Sequence, residues 1–175
     1  MDKTVFESFE DYLEEADYPQ GKKKIMRSAV DLMSTKGYNG TSTLHIAEHA
    51  GLSQATLFKY FKTKVDLLTA ILHPVVPGLF GSFFEELLTF ETTEEKVHYL
   101  VHNRMTYLKK NRALIKIIFH EIFSNNKLRN EQKFIWSTIQ DKLQTFHKEL
   151  LADPRVDPDL TIPQMARICV GPLLA

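Results

Sequence analysis

Cysteine is almost absent from this chain, which contains one, Cys169. A single cysteine excludes an intrachain disulfide and is typical of a reducing compartment, so we expect a cytoplasmic protein. Long apolar runs are also lacking, since the most apolar stretch, Val75 to Phe84, is short and is broken by Pro77 and two glycines. Because a membrane-spanning helix needs about 20 predominantly apolar residues, we expect no membrane partner.

Net charge is absent as well, and a formal charge of zero at pH 7 taken alone argues against a nucleic-acid partner. This neutrality is an average over unlike segments. Residues 1–20 hold seven acidic residues and one lysine, a net charge of −6, whereas residues 21–64 carry a net charge of +6 and residues 65–175 balance. A basic block is more often a solvated surface than a binding site, so it gains weight only where it coincides with a motif.

The motif lies inside the basic block, in the segment TSTLHIAEHAGLSQATLFKYFKTK from Thr41 to Lys64. Its serines and threonines can cap two short helices. Ala47 is small enough to let the helices cross closely, Gly51 tolerates the positive φ of a tight turn, and Leu57 anchors the second helix. This spacing is typical of a helix-turn-helix, whose second helix enters the DNA major groove. The alternative is a plain helical hairpin inside a core.

The same segment resembles the DNA-binding domain of TetR-family transcriptional regulators, over about Lys22 to Leu72. The matching residues are Gly37, Tyr38, Thr41, Ser42, Ile46, Ala47, Ala50, Gly51, Leu52, Ser53, Thr56, Leu57, Phe58, Tyr60, Phe61, Lys64, Leu67 and Leu68. The resemblance implies that residues 54–60 form the recognition helix and that Lys64 opens the fourth helix of the domain. The rest of the chain is similar to the family only as a helical domain of the right kind.

The resemblance also implies which residues contact DNA. Base edges are expected to be read by three outward residues of the recognition helix: Gln54, Thr56 and Lys59. Phosphates are expected to be bound by Ser42, Thr43, Tyr60 and Lys64, and by the backbone N–H of Ala55. Ala55 replaces the family's commoner glycine. Phe58 departs from its usual tyrosine, so a hydroxyl contact to phosphate is expected to be missing.

Apolar residues recur at helical spacing through the rest of the chain, and no segment shows sustained strand alternation. We therefore predict an all-α fold, with a three-helix helix-turn-helix head and a helical-bundle body for ligand binding and dimerisation. The predicted divisions are an acidic extension over 1–20, a DNA-binding domain over 21–68 and a body over 69–175. The helix after Thr63 is expected to stop or kink at Pro74 and Pro77.

The body is expected to bind a ligand and a second copy of the chain. TetR resemblance implies a cavity between its helices for a hydrophobic small-molecule effector, lined by Phe83, His102, Arg104, Tyr107, Phe119 and His120. A homodimer is expected through the C-terminal helices, with an apolar surface from Ile162, Met165, Ala166, Ile168, Cys169, Val170, Leu173 and Leu174. Because the final GPLLA carries no helix stop, we expect the sequence to be truncated at the C-terminal end of the body.

Catalytic and metal sites have little support in the sequence. There is no Gly-rich phosphate loop and no nucleophile elbow, so we expect neither an enzyme nor a cofactor. His98 and His102 are one helical turn apart and could bind zinc if a third ligand met them. Without an H-E-x-x-H pattern, exposed helical histidines are the favoured interpretation, and we expect no metal.

Two functions follow from these observations. The first is a ligand-responsive repressor, released from a palindromic double-stranded DNA operator by a hydrophobic effector. The alternative is a helical protein-interaction module that uses the helix-turn-helix as a scaffold. The basic block and the polar outer face of the recognition helix favour the DNA-binding function.

Overall fold

The protein is almost entirely helical. The structure, a computed structural model, describes residues 8–118 and 128–165, except for the side chains of residues 78–82 and 108. This described part contains no β-strand, which confirms the all-α prediction. The helices are α1 (Phe9–Glu15), α2 (Gln20–Lys36), α3 (Thr43–His49), α4 (Gln54–Tyr60), α5 (Lys64–Leu87), α6 (Thr93–Lys110), α7 (Arg112–Ile117) and α8 (Arg129–Leu151), followed by a helical turn at 162–165.

Local signals set the ends of the first head helices. Helix α2 stops at Gly37, whose φ of 77° lies in the left-handed region that favours glycine. The Ser42 hydroxyl accepts the His45 N–H at 3.1 Å, and the Ser53 hydroxyl accepts the Thr56 N–H at 3.1 Å. These N-caps begin α3 and α4, while Gly51, with φ 68°, makes the turn between them.

The head is held together by an apolar centre shared by α2, α3 and α4. Ile25 and Met26 of α2, Ile46 and Ala47 of α3, and Leu57 of α4 are all fully buried. The small Ala47 also receives the end of the turn, since its carbonyl accepts the N–H of Leu52 at 2.9 Å. The predicted three-helix head is confirmed.

Helix α5 continues past the prolines at which it was expected to stop. A capping box between Thr63 and Asp66 begins the helix, which then runs through Pro74 and Pro77 to Leu87. A proline inside a helix removes one hydrogen bond and crowds the preceding turn, at a cost of about 3 kcal/mol. A buried stripe offsets this cost: Leu67, Leu68, Ile71, Leu72, Val75 and Val76 are each at most 1% exposed. Tertiary packing therefore overrides the local signal. The expected stop is wrong, and the alternative, a kink at the prolines, stays a prediction.

A second apolar cluster lies in the body, where α5, α6 and α8 meet. Its buried members are Phe83, Phe84, Leu87, Leu100, Phe146, Leu150 and Met165. Met165 was expected on a dimer surface, but it is 2% exposed and packs within its own chain, so that expectation is wrong for this residue. Ile162 is partly buried against the same cluster. The other residues expected at the dimer surface, 166–174, lie outside the described residues.

The acidic N-terminal segment is part of the folded protein from residue 8 onward. Phe9 and Leu13 of α1 are buried in the same cluster as the head helices. Arg27 of α2 pairs with the carboxylates of Glu10 and Glu14, each at 2.7 Å. Because that apolar cluster continues from α1 through the head into α7 and α8, one core joins the predicted segments. Their boundaries at 20 and 68 stay predictions.

A bilayer crossing requires a helix that is both long and apolar. None of the helices within residues 8–118 and 128–165 meets both requirements.

Candidate functional site

The recognition helix α4 presents a mixed surface beside a buried anchor. Leu57 is fully buried, whereas Phe58 is 45% exposed and Ala55 and Lys59 are also exposed. Gln54 and Thr56 are half-buried, and Ser42, at the start of α3, is exposed. The predicted contact residues of α3 and α4 therefore remain accessible. Their individual DNA contacts stay predictions.

A side-chain hydrogen bond joins the two helices of the motif. The amide Nε2 of Gln54, at the start of α4, donates to Oγ1 of Thr43, at the start of α3, at 2.9 Å. Both side chains are half-buried, and the bond spans eleven positions of sequence. The residues expected to read a base and to bind a phosphate are thus in direct contact with each other.

Thr56 is committed to the cap of its own helix. Its N–H donates to the Ser53 hydroxyl, and its own hydroxyl lies 2.9 Å from the same oxygen. A hydroxyl has one donor and two acceptor sites, so this pairing occupies part of what Thr56 could offer a base. The side chain is half-buried as a result of its place in the cap.

Tyr60 does not point outward as expected. It is half-buried and packs against the head core, with its hydroxyl over Gly21 in the first turn of α2. A Cβ added at Gly21 would lie 3.4 Å from that hydroxyl, which shows how closely the tyrosine approaches α2. The outward orientation was expected from the geometry of an isolated ideal helix. In the fold, α2 crosses α4 at this point and covers the side that carries Tyr60. The expected phosphate contact of Tyr60 stays a prediction.

Lys64 is bonded within the head. Its ammonium donates to the carbonyl oxygens of Tyr38 at 2.7 Å and Thr41 at 2.9 Å, and it lies 4.0 Å from the centre of the Tyr38 ring. The lysine therefore ties the first turn of α5 to the loop between α2 and α3. Its expected phosphate contact stays a prediction.

Leu44 is an exposed apolar residue that the sequence reasoning missed. It is 46% exposed in the first turn of α3, next to Thr43. The available signal was its position off the buried stripe of Ile46 and Ala47. An exposed apolar side chain is of the type that can contact the methyl group of thymine.

The positive charge of the head is partly neutralised by the acidic arm. Arg27 pairs with Glu10 and Glu14, and the ammonium of Lys23 donates to the Glu14 carbonyl at 3.2 Å. Within residues 8–118 and 128–165, four lysines of the basic block make no ion pair, side-chain hydrogen bond or cation–π contact: Lys24, Lys36, Lys59 and Lys62. The field that DNA would meet is therefore weaker than the sequence charge suggests.

Three of the six expected ligand residues come together in the body. The guanidinium carbon of Arg104 lies 3.7 Å from the centre of the Phe83 ring and 5.1 Å from that of Tyr107. Phe83 also stacks on Tyr99, with ring centres 5.7 Å apart. Burial lowers the pKa of Arg104 to about 10. This arrangement places a desolvated cation among aromatic rings, and we call Phe83, Arg104 and Tyr107 the body cluster.

Tyr107 contributes an unsatisfied polar atom to the body cluster. The residue is 9% exposed, and its buried hydroxyl has no hydrogen-bond partner among residues 8–118 and 128–165. Burial raises the pKa of the Tyr107 hydroxyl, so it stays protonated. An unpaired buried hydroxyl costs about 1–3 kcal/mol, which a native core normally avoids.

His102, another expected ligand residue, is not part of the body cluster. His102 is exposed and lines an open surface pocket of about 340 Å³ with Phe90, Glu94, Glu95, His98 and Tyr99. The rings of His98 and His102 are parallel, with centres 6.4 Å apart. Across the described ranges, His, Cys, Asp and Glu side chains nowhere gather in a group of three that could hold a metal ion. Phe119 and His120 lie outside the described residues.

Comparison with known proteins matches the head to a described family and a longer part of the chain to a curated relative. A family model, "Bacterial regulatory proteins, tetR family", matches residues 25–71. The probable HTH-type transcriptional regulator YttP of Bacillus subtilis (strain 168) is 29% identical over 113 residues, which cover 63% of this chain and 54% of that protein. The chain thus spans about half the length of this curated relative.

Solved structures match most of the chain. The fatty acid degradation regulator FadR from Bacillus halodurans superposes with a TM-score of 0.69 at 21% identity, over 91% of this chain and 82% of that one. The transcriptional regulator FadR from Bacillus subtilis, in complex with stearoyl-CoA, gives a TM-score of 0.65 at 21% identity, over 86% and 82%. At this identity the likeness shows a shared fold.

Proposed function

Because the chain belongs to the TetR family of bacterial regulatory proteins, we propose that it is a cytoplasmic transcriptional repressor that a hydrophobic small molecule releases from a palindromic operator. The observation that carries DNA binding is the helix-turn-helix, in which α4 buries Leu57 and turns Phe58 and Lys59 to solvent. A helix held in this way can enter the major groove, where base pairs are distinguishable. We propose no catalytic role.

The contacts with DNA divide by chemistry. Gln54 and Lys59 read base edges, because amides and ammonium groups match the acceptors and donors of the major groove. Ser42 and the backbone N–H of Ala55 bind phosphates, which orient the helix without carrying sequence information. Phe58, 45% exposed, offers a ring edge where a hydroxyl would otherwise contact phosphate.

A dimer is part of the proposal. One recognition helix reads only a few base pairs, too few for a genomic address. A two-fold dimer doubles the site and requires a palindrome with half-sites about one helical turn or somewhat more apart. The C-terminal helices, with the exposed face of α8, supply the interface in this proposal.

The effector half of the proposal rests on the body cluster. A ligand that hydrogen-bonds the buried Tyr107 hydroxyl would give that polar group a partner. The rings of Phe83 and Tyr107 suit the apolar part of such a ligand. We therefore propose an amphipathic effector with a hydrogen-bonding group at one end. FadR of Bacillus subtilis, a fold neighbour, was solved with stearoyl-CoA, a molecule of that general character.

Helix α5 offers a route from effector to DNA. Its first turn is tied to the head by Lys64, and its last turns carry Phe83 and Phe84 into the body cluster and its neighbours. An effector shifts the regulator only if it binds the DNA-incompetent conformation more tightly than the DNA-bound one. Movement of α5 would then spread the two heads beyond their half-site spacing.

DNA binding is tested by selection from a random duplex pool at physiological salt. Recovery of a palindrome would support both DNA recognition and two-fold symmetry. Binding that falls steeply with salt but enriches no sequence would contradict the regulator and leave only electrostatic attraction. Absence of any DNA binding would favour the protein-interaction module instead.

The effector is tested on the selected operator. A screen of amphipathic compounds should find some that lower operator affinity in the wild type and fail to do so in Tyr107→Phe. If no compound changes DNA binding, the effector half is wrong while the DNA-binding half stands.

A further inference from the structure

The hydrogen bond between Thr43 and Gln54 points to a role for Thr43 other than binding a phosphate. This inference rests on the proposed DNA binding. The Gln54 amide donates from Nε2 to Thr43 Oγ1 at 2.9 Å, and it makes no other hydrogen bond with the described residues. Each partner stands in the first turn of its helix, one in α3 and one in α4. The bond therefore joins the two helices of the motif at the N-terminal end of α4, the helix that would enter the major groove.

The chemistry of an amide explains what this bond does. A glutamine amide has two N–H donors and one oxygen acceptor. In the proposed arrangement the N–H that points away from the amide oxygen is given to Thr43, which leaves the other N–H and the oxygen side by side. That pair matches the adenine edge in the major groove, where N7 accepts and the N6 amino group donates. A long flexible side chain held in this way has lost much of its rotamer freedom before DNA arrives.

We propose that Thr43 is the positioning residue that holds the Gln54 amide for reading an adenine. Both side chains are half-buried, and the Thr43 hydroxyl already accepts a hydrogen bond from the Gln54 amide. A phosphate contact and a positioning role predict different losses. The first strengthens binding to every sequence alike. The second strengthens binding only where the correct base is present.

The experiment compares Thr43→Val with Thr43→Ser. Valine keeps the branched shape and removes the hydroxyl, while serine keeps the hydroxyl and removes the methyl group. Affinities are measured for the selected operator, for the operator with each adenine in turn replaced by 7-deazaadenine, and for random duplex. The relevant adenine is the one at which wild-type protein responds to the missing N7 and Gln54→Ala does not.

We expect Thr43→Val to lose about 3- to 10-fold in affinity for the operator, as for one hydrogen bond, with unchanged affinity for random duplex. Its response to 7-deazaadenine at that position should disappear. Thr43→Ser should retain the wild-type affinity and response. In a Gln54→Ala background, Thr43→Val should have no further effect, because the amide that it positions is gone.

Several results would overturn the inference. If Thr43→Val lost equal affinity for operator and for random duplex, Thr43 would be a phosphate contact. Full discrimination in Thr43→Val, or a further loss in the Gln54→Ala background, would remove the positioning role. Preference for a base other than adenine at the Gln54 position would refute the assigned readout. A wild type without sequence preference would instead refute the proposed function, which separates the two failures.

Discussion

At the scale of single residues, Lys64 shows how one side chain can hold two segments together. Its ammonium satisfies two backbone carbonyls of the loop before α3, at Tyr38 and Thr41, and packs on the Tyr38 ring. Charge-assisted hydrogen bonds are stronger than neutral ones, and carbonyls left without a donor pay a desolvation cost. Lys64 therefore stabilises the head whatever it does on DNA.

We predict that Lys64→Met lowers the free energy of unfolding by about 1–3 kcal/mol, measured by urea denaturation. Lys62→Met is the matched control, since Lys62 is exposed and makes no ion pair with any described residue. If Lys64 also binds a phosphate, the salt dependence of DNA binding should fall by about one unit of slope. Unchanged stability would contradict the structural role.

Tyr107 leads to the opposite expectation for stability. Its hydroxyl is buried without a partner, so Tyr107→Phe removes a desolvated polar group and should raise the free energy of unfolding by about 1 kcal/mol. Tyr99→Phe is the control, because the Tyr99 hydroxyl donates to the Glu86 carboxylate and accepts from Asn103. That control should lose stability in the same thermal scan. A destabilised Tyr107→Phe would show that the hydroxyl is satisfied in solution.

At the scale of elements, α1 is an acidic helix that docks on the head. It buries Phe9 and Leu13, and the Phe9 N–H donates to Oδ1 of Asn111, between α6 and α7, at 3.2 Å. The arm thus contacts both the head, through Arg27 of α2, and the body. Its carboxylates also pair with Arg27, whose positive charge would otherwise face solvent or DNA.

Deleting residues 1–19 should have two separable effects. Stability should fall, because each buried Leu or Phe lost from a core costs about 2–5 kcal/mol. DNA affinity of the folded fraction should be equal or higher, because the deletion removes a net charge of −6 and releases Lys23 and Arg27. Leu13→Ala is the matched control, since it weakens docking and keeps the charge. A large loss of affinity in folded protein would mean that the arm contacts DNA or holds the head in place.

At the scale of the whole molecule, assembly is the open proposal. Because Met165 is buried within its own chain, it is not available to a dimer interface, and the exposed face of α8 is the described surface that remains. That surface carries Trp136, which is 52% exposed on an otherwise largely polar outer face. A large exposed aromatic ring is a frequent energetic centre of protein interfaces.

We predict a dimer at micromolar concentration in light scattering. Trp136→Ala should weaken the dimer by tenfold or more, as for a hot-spot residue worth at least about 1.4 kcal/mol. Ser137→Ala, beside it on the same helix, should leave the equilibrium unchanged. A monomeric wild type over the full concentration range would contradict the two-fold arrangement and with it the palindromic operator.

The sequence by itself determined the local structure of the head. Among the described residues, only Gly37 and Gly51 have a positive φ, and α3 and α4 are capped by Ser42 and Ser53, two of the serines and threonines that could cap them. These features depend on backbone sterics and on hydrogen bonds between residues three apart, which a short segment contains in full. The buried stripe of Ile46, Ala47 and Leu57 followed from helical periodicity in the same way.

Only the tertiary structure decided what depends on residues far apart in sequence. Helix α5 passes through Pro74 and Pro77 because distant helices bury its apolar stripe. Tyr60 turns toward α2, Lys64 toward the loop at Tyr38, and Gln54 toward Thr43, because folding places a partner beside each one. Periodicity shows which face of a helix is buried, but the partner of a polar side chain depends on how the helices cross. The orientation of the candidate site therefore required the fold.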